Sequence, residues 1–307
     1  MPPKFILVII GPTASSKSSL AVQLAKKLNG EIVSADSRQV YKGLDIGSGK
    51  ITRREMAGIP HHMLDVANPR RIFTVSQYQK LAYKTIDDIL SRGKLPIVVG
   101  GTGQYIDAIT KGLILPGVKP LYELRKQLSY KTTQELFALL EKLDPARAKN
   151  IDRHNARRLV RAIEIAKVLG KVPVLKTTPR YSPITIGVKI KSIELKRCIH
   201  KRLLARMQTG MVAEVRSLRK QGLSCKRLFD LGLEYRYVSL YLQGKFSKHE
   251  MLVKLETEIN HYAKRQMTWF KRDKSITWLP KNQVVNLNPS LFRRIRSRLR
   301  ADVPSNP

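Results

Sequence analysis

The first stretch able to do chemistry is Gly11-Pro12-Thr13-Ala14-Ser15-Ser16-Lys17-Ser18. Small residues followed by a lysine and a hydroxyl, set between an apolar run and a helical pattern, are what a phosphate cradle needs. Backbone N–H groups converge on one spot there, and the helix dipole favours an anion. In the spacing G-x-x-x-x-G-K-[ST], that of ATP-binding loops, Lys17 would reach the outer phosphate and the Ser18 hydroxyl would ligate Mg²⁺. Ser16 stands where the pattern has its second glycine, so strain or a narrower loop is expected. Asp36 follows the short run Glu31-Ile32-Val33-Ser34. An acid at a strand's carboxyl end beside a phosphate loop lies where open α/β sheets bind ligands. By residue type it could be a base, a Mg²⁺ contact or a helix cap.

The elements that must hold these residues are legible as periodicity. Phe5 to Ile10 reads as a buried strand, and Leu20, Leu24, Ala25 and Leu28 as the face of the helix after the loop. Residues 74–90 read as a helix stopped by Gly93. Pro96-Ile97-Val98-Val99 is a further strand, running into the glycine turn Gly100-Gly101-Thr102-Gly103. Strand, helix and strand joined by short turns call for a parallel, right-handed α/β sheet. Near Leu115-Pro116-Gly117 the pattern changes to helices alone, with a capping box at Thr132 to Glu135 and Asp152 as a cap for the next helix. Thr185 to Ile190 reads as a strand returning to the sheet. The expected layout is therefore a first core segment over 1–117, an inserted helical domain over 118–184, and a return strand with basic C-terminal helices over 185–307. Another capping box, Ser247 to Glu250, opens a helix ending in Lys264-Arg265-Gln266-Met267-Thr268-Trp269-Phe270-Lys271-Arg272, where the rings either stack RNA bases or belong to the core. Residues 293–300 read as a basic helix or frayed tail.

Fifty-eight Lys and Arg against 23 Asp and Glu give a formal charge of +35, spread through most of the chain. Such self-repulsion is tolerated when the partner is a polyanion, and nucleic acid is the first candidate. His61 and His62 have no metal-like partners at useful spacing and read as surface or hydrogen-bonding histidines. Cys198 and Cys225, with no C-x-x-C, argue against a disulfide scaffold and a structural zinc site. The run at Phe5–Ile10 is too short for a secretory h-region or a membrane span, so a soluble cytoplasmic protein is expected.

From Gly11 to about Leu279 the chain resembles the tRNA dimethylallyltransferases, with their motifs in order: GPTASSKS, SADSRQVYKGLDIGSGK from Ser34, IPHHMLDV from Ile59, PIVVGGTGQY from Pro96, ARRLVRAIE from Ala156, GMVAEV from Gly210 and AKRQMTWFKR from Ala263. It departs from them at Ser16, Ser18 and Ser48, and in Gly232-Leu233-Glu234-Tyr235-Arg236. The resemblance implies a P-loop NTPase-like α/β core with an inserted helical domain. It also implies transfer of a dimethylallyl group from its diphosphate to N6 of the adenosine just 3′ of the anticodon, with Mg²⁺ and without phosphoryl transfer. It assigns Asp36 as the base, Lys17 and the loop as the diphosphate grip, Thr13 to the bridging oxygen and Thr102 to positioning the reacting base. Asp36-Ser37-Arg38-Gln39, Thr102, Arg125 and Arg157-Arg158-Leu159-Val160-Arg161 would meet the tRNA anticodon stem-loop, and a monomer is implied. An adenylate isopentenyltransferase, a small-molecule P-loop kinase and a non-catalytic RNA-binding module are the rival readings at this stage.

Overall fold

The computed structural model describes residues 4–281 together with 293 and 297. The chain divides into two compact units, one formed by Met1–Gly112 with Pro179–Pro307 and the other by Leu113–Thr178.

The first unit is built on a parallel sheet of β1 (Phe5–Ile10), β2 (Gly30–Ser34), β3 (His61–His62), β4 (Leu95–Gly100), β5 (Ser182–Lys189) and β6 (Thr277–Pro280), in the order β3-β2-β4-β1-β5-β6. β1 is central, which explains its uninterrupted apolar run: both faces are covered, so neither register position can be polar. Ile6, Val8 and Ile10 join Val33 and Val98 in one apolar cluster, while Leu7 and Ile9 join Ile32, Ile97 and Val99 in the other. The helix Lys17–Leu28 covers the second face with Leu20, Ala21, Leu24 and Ala25. The helix Val75–Ser91 brings Tyr78, Ala82, Ile86 and Ile89 to the first. Met251, Leu255, Ile259 and Ala263 of the long helix Lys248–Phe270 belong to that same cluster. Each Leu, Ile or Met among these contributes about 1.5–3 kcal/mol when fully buried. Thr74, Thr132 and Ser247 begin their helices with reciprocal bonds to Gln77, Glu135 and Glu250. Among the described residues no helix is long and apolar enough to cross a membrane.

The second unit is all helical. Its core gathers Leu128, Leu136, Leu140, Ala148, Leu159, Ala162 and Ile163. Leu113 pairs with Thr177 across its open end, and Ile114 donates to Lys176. That pairing moves the boundaries from the expected 117/118 and 184/185 to 112/113 and 178/179. Ser182 and Pro183, expected within the insertion, instead pair with Phe5 and Ile6. The cap of Ala156–Leu169 is Asn155, whose side chain accepts from Arg158 N–H; Asp152 binds His154 N–H one turn earlier. Two strands escaped the periodicity altogether: β3 has two residues, and β6 has four and ends in a proline. Neither is long enough to show alternation. Of the basic stretch 293–300, all but Arg293 and Ser297 lies outside the described residues.

One charged residue sits inside the sheet. Glu31 of β2 is 2% exposed and receives Arg92 on both oxygens at 2.6 and 2.8 Å, Lys94 at 2.7 Å and His62 at 2.8 Å. The Arg92 guanidinium, with Lys94 and His62, holds its carboxyl well below the usual range against the opposing effect of burial. A carboxyl held down in this way stabilises the fold fully above its unfolded pKa of about 4.3, and the contribution is lost as pH falls through the folded value. Glu31→Gln should therefore lower unfolding stability at neutral pH by about 2–3 kcal/mol, since Arg92 and Lys94 stay partly solvated. Urea titrations over a pH series should show the difference from wild type shrinking in acid; a constant difference would deny Glu31 this charge.

Candidate active site

Three loops leave the carboxyl ends of neighbouring strands and meet at one cavity of about 280 Å³. The first is Gly11 to Ser16, between β1 and the helix opened by Lys17. Thr13, Lys17 and Ser18 line the cavity. Ser15 is fully buried and Ser16 exposed, so the two serines point opposite ways from one turn. Ser16 holds φ 65° and ψ 20°, the left-handed conformation that a glycine adopts freely. For serine this costs about 1–2 kcal/mol. Its exposed side chain leaves the inner surface of the loop clear. The expected outcome at this position was strain or narrowing; the loop takes strain.

The second loop follows β2. Asp36 lines the cavity, and its Oδ1 accepts from Arg38 N–H at 2.8 Å and from Gln39 N–H at 3.3 Å. The capping role open to it by residue type is thus realised on a turn, and among the described residues Oδ2 receives no protein donor. Ser37, Arg38 and Gln39 line the same cavity. Gln39 donates from Nε2 to the Gly49 carbonyl at 3.2 Å, and its Oε1 accepts from Ser34 at 3.4 Å. The third loop follows β4. Thr102 stands behind the cavity wall, its hydroxyl accepting Ser37 N–H at 3.0 Å. A Cβ at Gly100 would lie 2.1 Å from the Ala35 carbonyl oxygen, so only glycine lets these two loops approach.

The glycine-rich segment 42–50 forms a further part of the wall through Ser48 and Gly49. It is held from below by Glu214, whose carboxylate accepts the N–H groups of Asp45, Ile46 and Gly47 at 2.6–3.0 Å and the Tyr235 hydroxyl at 3.0 Å. Opposite the phosphate loop lie Arg202 and Arg206 of the helix Ser192–Gln208, with Arg206 paired to Glu234 at 2.8 Å. Burial and the nearby Arg202 lower the Lys17 ammonium to about 8. Burial and the Asp36 carboxylate push the Tyr262 phenol up to about 12, which keeps it a hydrogen-bond donor at neutral pH.

Sequence reasoning did not single out Arg202, Arg206, Glu234, Tyr262 or Gln266. Arg202 and Arg206 had a signal in their spacing of four on a helix, and Gln266 had one as a polar residue on the stripe Ile259, Ala263, Phe270. Phe270 is buried at 3%; Trp269 is half-buried, packs over Gly103 and carries the Arg272 guanidinium 5.4 Å from its ring centre. His61 and His62 are hydrogen-bonded, to Ile59 and Glu31.

The expected nucleic-acid contacts of the helical unit divide by exposure. Arg157 and Arg158 are exposed and Val160 half-buried. Leu159 is fully buried in that unit's core and has no surface to offer, which removes it from the expected set. Arg125 binds both oxygens of the buried Glu164 at 2.7 Å. Arg161 binds Glu164 at 3.2 Å and the Val118 carbonyl at 2.8 Å. Both arginines are partly exposed, and both brace the unit. As for a metal, no group of three or more His, Cys, Asp or Glu able to hold an ion occurs among the described residues. Ser18 offers one hydroxyl to the cavity, a donor suited to a Mg²⁺ that arrives with phosphate oxygens.

The family model described as IPP transferase matches residues 39–273. A tRNA dimethylallyltransferase 2 of Citrifermentans bemidjiense is 42% identical over 281 residues, covering 90% of this chain and 91% of its own. A tRNA dimethylallyltransferase 1 of Syntrophus aciditrophicus is 41% identical, covering 96% and 99%. Among solved structures, the tRNA isopentenylpyrophosphate transferase of Bacillus halodurans superposes with a TM-score of 0.73 at 33% identity, with 97% of each chain covered. A eukaryotic dimethylallyltransferase acting on tRNA shares the fold, with a TM-score of 0.82 at 24% identity over 98% of this chain and 80% of that one.

With its pKa near 8, Lys17 is half neutral at pH 8 in the free protein and mostly neutral a unit above. A bound anion restores the ammonium. Binding of pyrophosphate near pH 8 should therefore be accompanied by proton uptake at Lys17, set against any proton that the ligand itself releases. Calorimetry at pH 8 in buffers of different ionisation enthalpy reads this uptake. Lys17→Met should abolish it; uptake unchanged in the variant would assign the proton elsewhere.

Proposed function

The chain belongs to the IPP transferase family of tRNA dimethylallyltransferases, and we propose that it moves the dimethylallyl group of dimethylallyl diphosphate to N6 of the adenosine just 3′ of the anticodon, releasing diphosphate. The observation that carries this reading is the shared cavity: a lysine-bearing phosphate loop and a carboxylate whose Oδ2 has no protein donor among the described residues face one space of about 280 Å³. In this reading the compartment is the cytoplasm, where tRNA is, and the resemblance implies a monomer.

An exocyclic amine of adenine is a weak nucleophile because its lone pair is delocalised into the ring. It needs a base as the C–N bond forms. Asp36 takes the N6 proton on Oδ2 while Oδ1 stays bound to the turn, a role worth roughly 10²–10⁴-fold. As the bond from allyl carbon to oxygen breaks, negative charge grows on the diphosphate. Lys17 and the loop N–H groups hold that charge in place, and the Thr13 hydroxyl donates to the bridging oxygen. Mg²⁺, held partly by Ser18, would supply further neutralisation of the diphosphate. Thr102 fixes Ser37 and through it the turn that carries Asp36. The target base leaves the anticodon loop at a cost of about a few kcal/mol. Arg38 and Gln39 line its route, although Gln39 already spends one N–H on Gly49. Arg157 and Arg158 supply phosphate contacts from the helical unit.

The reading is tested by incubating the protein with Mg²⁺, unmodified tRNA and radiolabelled dimethylallyl diphosphate, with ATP hydrolysis followed in parallel. Label in tRNA with idle ATP is expected; brisk ATP turnover without transfer would make the protein a kinase. Asp36→Ala should cut kcat about 10²–10⁴-fold with tRNA affinity within a few-fold by filter binding. A large affinity loss at full turnover would take the proton away from Asp36. Arg158→Ala should weaken tRNA binding whatever the loop sequence and lower the slope of log K against log salt by about 1. An unaltered slope would rule out a phosphate contact there.

A further inference from the structure

Gln266 is 5% exposed, a polar side chain on the buried stripe of the helix Lys248–Phe270. Its amide is spent on the backbone of two other segments. Oε1 accepts Thr13 N–H at 2.8 Å, and Nε2 donates to the Gly101 carbonyl at 2.9 Å. The fit is close, since a Cβ on Gly101 would stand 2.1 Å from Nε2. From Gly101 the linkage continues through Thr102, whose N–H donates to the Ala35 carbonyl and whose hydroxyl accepts Ser37 N–H. These two bonds bracket Asp36 on either side. One amide thus joins the segment that carries Thr13 and Lys17 to the turn that carries Asp36.

We propose that Gln266 is a positioning residue that sets the separation between the leaving-group loop and the proton acceptor. The inference rests on the reaction assigned above. A carboxamide carries an acceptor and a donor on one planar head, so it satisfies an N–H and a C=O from two segments at once. Losing either partner leaves a buried backbone group unpaired and frees one loop to shift. A displacement of about 1 Å between reacting groups costs about 10²-fold in rate.

Gln266→Glu separates positioning from bulk. An ionised carboxylate still accepts from Thr13 but repels the Gly101 carbonyl; a protonated carboxyl supplies both an acceptor and an O–H donor. The ratio of variant to wild-type kcat should be down about 10²-fold at alkaline pH and rise as the carboxyl takes up its proton on acidification. The KM for tRNA should stay within about threefold, and the melting temperature at each pH is read alongside. Gln266→Met, similar in length and without charge, should lose kcat equally at every pH. A pH-independent ratio for Gln266→Glu, or kcat losses that merely track melting temperature, would overturn the proposal. Wild-type kcat in Gln266→Met would do the same even if Gln266→Glu failed to fold. A wild-type enzyme that transfers no dimethylallyl group would sink the functional reading instead, so the two failures are distinguishable.

Discussion

The structure is governed by mutual repulsion among cations around one cavity. Lys17 is buried enough, and near enough to Arg202, to hold its proton weakly. Arg206, on the same wall, is compensated by Glu234. Such an arrangement raises the free energy of the empty protein, and a polyanion entering the cavity relieves it. In the reading proposed above, that repulsion favours an anionic ligand in the cavity. At the scale of the whole chain the same sign of charge, +35, meets the phosphates of a nucleic acid.

Backbone N–H groups meet an anion at one place in this fold, and in the proposed reading they meet a second, external one. At Gly11 to Ser18 the turn is left open on its inner side, and the left-handed Ser16 keeps its side chain outside. At Asp45 to Gly47 the converging N–H groups are filled from within by Glu214. The physics is shared and the use differs: an external anion is a ligand, whereas an internal one is a brace. Glu214 steadies the segment whose Gly49 carbonyl orients Gln39, so a carboxylate outside the cavity shapes its lining.

What could be read from the chain alone is what depends on nearby residues. The run Phe5–Ile10, the small-residue turn and Lys17 declare themselves within a dozen positions, because a buried strand, a cradle and a helix start have local rules. Asp36 was legible as an acid at a strand end, and its partners were not. Gln266 and Arg202 are brought to the cavity by helices more than 180 residues from Lys17, and only the fold supplies that proximity. Glu31 looked like one member of an ordinary strand, since its partners come from two distant places, His62 of β3 and Arg92 and Lys94 of the turn before β4. The boundaries of the helical unit slipped by five or six residues because prolines mark where a helix cannot continue, and not where a strand begins pairing.

The bond from Gln266 to Thr13 closes a span of 253 residues. During synthesis the strand Phe5–Ile10 and its loop emerge early, yet this brace is delivered only when the helix Lys248–Phe270 leaves the ribosome. Such long-range closure is slow to form and is among the later events of folding. The loop that bears Lys17 and the turn that bears Asp36 are therefore tied together only once the segment that carries Gln266 has been made.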